Sequence, residues 1–84
     1  KDRTTEAAAS LDEAIELGQR SRTANGIVLA AQSAISRSGL EVAAGNTPAA
    51  KDSLQEAIKL GRSAGTPPGL ETATAASKKL EELG

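Results

Sequence analysis

Apolar and small residues return every three or four positions along most of this chain. Ala7, Leu11, Ala14, Ile15 and Gly18 trace one stripe, and Ile27, Ala30, Ala31, Ala34 and Ile35 a second. Leu54, Ala57, Ile58 and Gly61 trace a third, and Leu70, Ala73, Ala76, Leu80 and Leu83 a fourth. This is the 3.6-residue period of an amphipathic helix, so the pattern predicts an all-α fold of four helices. Thr47-Pro48 and Thr66-Pro67 each read as an N-cap followed by proline at the first helical position, where its missing N–H has no partner to lose. They place the starts of the third and fourth helices. Gly61 or Gly65 closes the third, because glycine accepts the left-handed conformation without a Cβ penalty, and Gly84 stops the fourth. In the first half, Thr4 is the matching cap, and Thr23 matches Thr66 although Ala24-Asn25 stands in place of Pro67-Pro68. The second helix is expected from about Ala24 to Ser38, ended by Gly39, with Leu40 to Asn46 as a short connection.

The stripes come in pairs that repeat. SLDEAIELG, starting at Ser10, returns as SLQEAIKLG at Ser53, 43 residues later. Carried along the chain without a gap, that offset gives 13 identities over 41 positions, clustered beyond what an alanine-rich composition produces by chance. The expected organisation is one domain, 1–84, made of two helical hairpins, 1–41 and 44–84, packed as a small antiparallel four-helix bundle or a solenoid stub. Tetratricopeptide repeats differ in period and in their aromatics. HEAT and armadillo repeats of about 40–47 residues agree in length but not in helix length or apolar bulk.

Composition sets the size of the core. The 84 residues include no Phe, Trp, Tyr, Met, Cys or His, so the interior is Leu, Ile, Val and Ala. An aromatic side chain buries roughly 150–250 Å², and none is available here. Helices built this way must approach closely or recruit apolar surface from elsewhere, and two repeats fall short of the three or more usually needed for independent stability. Formal net charge is −1 and the ten Lys and Arg residues are scattered, which leaves no footprint for nucleic acid. No aromatic is present for bases to stack on. No apolar run reaches the roughly 18–20 residues of a membrane span. The first residue, Lys1, fits a processed mature protein or a sequence that begins internally.

The chemistry-bearing residues make no constellation. Without histidine no Ser or Thr has the base that nucleophilic catalysis needs, and neighbouring Ser77 and Lys78 point about 100° apart on a helix. Asp12, Glu13 and Glu16 read as a solvated helix face, and no EF-hand spacing occurs. The stretch Gly65-Thr66-Pro67-Pro68-Gly69 lacks the Gly-Lys-Ser/Thr ending of a phosphate loop, and its prolines remove backbone donors; it reads as a turn and helix start. Arg20 and Arg22 complement the dipole at the end of the first helix. No catalytic, cofactor or metal residue is assigned, and an enzyme is not expected.

The two halves differ most at Ile27-Val28-Leu29-Ala30-Ala31, whose counterpart in the other half is Leu70-Glu71-Thr72-Ala73-Thr74. A segment apolar on nearly all sides is either central or covered by something. Ile27, Val28 and Leu29, with Val42 in the connection, are therefore the candidate partner-binding residues. The expectation is a non-enzymatic structural or interaction protein: a small scaffold or accessory subunit packed against larger protein subunits. A narrower version places it in an organellar, photosynthetic membrane assembly. The alternative is a carrier of a small apolar ligand, held in an aromatic-free bundle.

Overall fold

Caps and tight turns divide the chain where the stripes do. The computed structural model describes residues 3–83, which form α1 (Arg3–Ser21), α2 (Ala24–Ala43), α3 (Thr47–Ala64) and α4 (Pro67–Leu83). The all-α expectation holds: among the described residues there is no strand. Thr23 caps α2, its hydroxyl accepting the Gly26 N–H at 3.0 Å, and Thr66 Oγ1 accepts the Gly69 N–H at 3.3 Å at the start of α4. The side chain of Thr4 and the residue Gly84 lie outside the described residues.

Two boundaries differ from the expectation. The cap of α3 is Asn46, not Thr47: Asn46 Oδ1 accepts the Ala49 N–H at 3.4 Å, which puts Thr47 inside the first turn beside Pro48. Nor does Gly39 end α2, which continues to Ala43. The stop is Gly45, in the left-handed region at φ +79°. The Asn46 N–H donates to the Glu41 carbonyl at 2.8 Å and the Gly45 N–H to the Val42 carbonyl at 2.9 Å. These are the two bonds of a Schellman turn, so Asn46 leaves one helix already placed to cap the next. Past Gly39 the extra turn is held by tertiary contact, because Ser53 of α3 donates its hydroxyl to Glu41 at 2.7 Å. The connection shrinks to residues 44–46, and Val42 is helical.

α2 and α3 form the middle of the molecule. α1 packs on α2, α4 packs on α3 and to a smaller extent on α2, and among the described residues the backbone of α1 approaches no other helix. A closed bundle would give every helix two neighbours, so this is an open arrangement. Its dimensions are 35 × 28 × 14 Å between Cα extremes. Ile15, Ala30, Ala31, Ala34, Leu54, Ala57, Leu60 and Ala76 form the buried core, with Ile27, Ile35, Ile58, Leu80 and Leu83 packed against it. Leu70, on the inward stripe of the sequence, is instead exposed.

Each hairpin closes on a glycine crossing. A Cβ on Gly18 would strike the carbonyl oxygen of Gly26 and come within 2.8 Å of the Ala30 Cβ. A Cβ on Gly61 would lie 2.5 Å from the Gly69 oxygen and 3.0 Å from the Ala73 Cβ. The same contact is thus made at positions 43 apart: an Ala-x3-Gly helix against a Gly-x3-Ala helix. A polar chain ties the first hairpin to α3. Arg37 reaches Asp12 of α1 at 2.6 Å and Glu41 at 3.2 Å, and Glu41 takes the Ser53 hydroxyl.

Two sets of substitutions test this construction. Gly61→Ala and Gly18→Ala force backbone from backbone. Overpacking costs about 1–3 kcal/mol, and a carbonyl oxygen cannot swing aside as a side chain can. This outweighs the gain in helix propensity of about 1 kcal/mol. Gly39→Ala meets nothing within 4 Å and keeps the propensity gain. Urea denaturation should therefore show losses of about 1–2 kcal/mol for the first two and a gain of about 1 kcal/mol for the third. The second set concerns Arg22, which follows α1 at φ 59°, where the other hairpin has Gly65 at φ 68°. A side chain in this conformation costs roughly 1–2 kcal/mol, partly offset by the greater unfolded-state freedom of glycine. Arg22→Gly should stabilise the fold by about 0.5–1 kcal/mol, and Gly65→Arg should cost a similar amount, both read from melting curves.

Candidate interaction surface

The four residues singled out in the sequence do not form one patch. Ile27 is half-buried against the core, and Val28 is 7% exposed. Only Leu29 of the apolar run reaches solvent, at 60%. Val42 is exposed but sits in the last turn of α2, where it lines a separate groove of about 220 Å³ with Gly39, Leu54 and Leu83. Helix geometry explains the split. Successive residues turn by about 100°, so Val28 and Leu29 face different ways although adjacent.

Leu29 has a neighbour that the apolar run does not contain. Across the α1–α2 hairpin stands Leu17, 59% exposed. The two leucines line an open groove of about 400 Å³ with Gly18, Ser21, Gly26 and Ser33. The glycine crossing creates it, since Gly18 and Gly26 contribute no side chains to fill the space between the leucines. Leu17 was detectable from the sequence. On a helical wheel it lies well off the stripe of Leu11, Ala14, Ile15 and Gly18, as an apolar residue on a polar face.

The hydroxyls around this groove are engaged locally. Ser21 donates to the Gly18 carbonyl at 2.7 Å and lies 3.2 Å from the Thr23 hydroxyl. Arg20 pairs with Glu16 at 3.1 Å, but both are well exposed, and such i,i+4 surface pairs contribute only about 0.3–0.5 kcal/mol. Asp12, expected on a solvated face, belongs to the Arg37 network. Among the described residues no three carboxylates come close enough to hold a metal ion, and no helix is long and apolar enough to cross a membrane. The Gly65–Gly69 stretch is a left-handed turn followed by the Thr66 cap and the proline start of α4. The two grooves lined by Leu17 with Leu29 and by Val42 with Leu83 are open to solvent. No family model, curated protein or solved structure matches the chain.

Substitution separates the two leading positions. Val28→Glu places a carboxylate in a nearly closed site and should cost about 3 kcal/mol or more, enough to unfold a domain of this size. Leu29→Thr, at an exposed position, should change stability by no more than about 0.5 kcal/mol. Urea denaturation of the two single variants reads the difference directly.

Proposed function

We propose that this chain is a non-enzymatic interaction module: a small helical scaffold or accessory subunit that packs against a larger partner protein through the outer face of the α1–α2 hairpin. One observation carries the reading. Of the four exposed large apolar residues, two, Leu17 and Leu29, stand together on one apolar groove, whereas Val42 and Leu70 stand apart from it. In a protein whose buried apolar residues are mostly alanine, these two leucines are a large share of the exposed apolar side chains. Covering a leucine fully yields about 1.5–3 kcal/mol, so a partner on this face would add stability on the scale of the whole domain.

A photo-crosslinking residue introduced in place of Leu17 or Leu29 should give discrete adducts with a protein partner in native extract, and the same residue in place of Thr74 on the far side should not. Leu17→Glu with Leu29→Glu should abolish the association and leave the melting temperature nearly unchanged, since both positions are exposed. Absence of an adduct from either leucine position would defeat the proposal.

A further inference from the structure

The two hairpins use corresponding positions differently, and the difference has a direction. α2 lies against both helices of the second hairpin. On that hairpin Leu60 and Thr72 are each 8% exposed, whereas 43 positions earlier Leu17 and Leu29 are 59% and 60% exposed. The remaining positions correspond as well. Gly18 and Gly26 of the open groove are the counterparts of Gly61 and Gly69, both buried in the second hairpin. The groove of the first hairpin is therefore the same surface on which α2 sits one hairpin later.

The opposite side of the molecule is built to end the array. Ala30 of α2 meets Gly18 of α1; roughly 80–160° round the helix from it lie Ser38, Ala31, Ile35 and Val28. At the corresponding positions α4 has Glu81, Thr74, Lys78 and Glu71, all exposed. A polar outer face of this kind is how repeat arrays are capped. It also excludes one occupant of the groove. A second copy stacked in the same sense would press Glu71, Lys78 and Glu81 onto apolar surface without partners, at a heavy desolvation cost.

Building on the interaction reading above, we infer that the α1–α2 groove takes one amphipathic helix of a partner protein, docked as α2 docks on α3 and α4. That helix carries small or β-branched apolar residues in the spacing of Val28, Ala31 and Ile35. It also carries a carboxylate in the place of Glu41. Ser53 donates its hydroxyl to Glu41 at 2.7 Å, and the counterpart of Ser53 on α1 is Ser10, which is exposed and identical. Ser10 gives the docked helix its register, and the two leucines supply its apolar contact.

The test uses an acetylated, amidated peptide with the sequence of residues 23–46, titrated into the isotope-labelled whole chain. Saturable shifts of the Leu17, Gly18 and Leu29 resonances are expected. Leu17→Glu should weaken binding at least tenfold, about the value of one buried leucine, and Ser10→Ala by about two- to tenfold. A peptide of residues 66–83, which carries the polar face of α4, should give no shift. The inference is overturned by failure of the 23–46 peptide to bind, by binding indifferent to Leu17→Glu, or by Leu17→Glu-sensitive self-association in sedimentation, which would assign the groove to a second copy. Crosslinking at position 17 separates the two levels. Adducts there with a peptide that does not bind would retain the interaction module and reject the α2-like helix; loss of both would reject both.

Discussion

The contact of Gly18 with Gly26, and of Gly61 with Gly69, is the constraint on which the rest of the structure depends. A chain without aromatic residues cannot fill the usual 8–10 Å between helix axes with large side chains. It compensates by bringing backbone onto backbone, so that an alanine methyl is enough to complete the packing. Dispersion depends steeply on distance, and a gap of 0.5–1 Å forfeits a quarter to a half of each contact. Close approach is what turns Ala30, Ala57 and Ala73 into core residues rather than holes. It also fixes where each hairpin crosses, since Gly18 and Gly61 have no Cβ in the way of the facing backbone.

Because each hairpin is joined at one crossing, the hairpins themselves can be set side by side without wrapping around a common axis. α2 serves both hairpins, with Ala30 toward α1 and Ala31 and Ser38 away from it. The Asp12–Arg37–Glu41–Ser53 chain runs along this shared helix and links three of the four helices by charge-assisted hydrogen bonds. Among the described residues no counterpart of it joins α3 to α4: Leu80 of α4 stands at the position of Arg37, and Gln55 of α3 at that of Asp12. The molecule is thus held by apolar contact throughout and by an oriented polar link on one side only.

Much of this was legible in the residues. Helical periodicity and the two threonine caps before α2 and α4 placed the helices. The inward faces followed as well, apart from Leu70. What could not be read was decided by tertiary contact. Gly39 and Gly45 are equally good stops on local grounds; a serine twelve residues away on α3, bonded to Glu41, selects the second. Thr47-Pro48 is a sound cap signal, displaced because the Schellman turn delivers Asn46 to the capping position first. At the candidate surface, the apolar run from Ile27 to Ala31 lies on α2, but of its residues only Leu29 is exposed. A contiguous run covers every direction of a helix, and only packing against α1 and α3 decides that Val28 goes in and Leu29 out. Leu17 was visible as an outlier from its stripe, but its nearness to Leu29 depends on the crossing angle.

The alanine-rich core has a thermodynamic corollary. Heat capacity and denaturant sensitivity of unfolding both scale with the surface newly exposed, and apolar surface dominates the first. A small core filled largely with methyl groups conceals little of it. Its stability curve is correspondingly broad and shallow, with a low maximum and weak dependence on temperature on either side. Such a protein changes little between a cold and a warm environment.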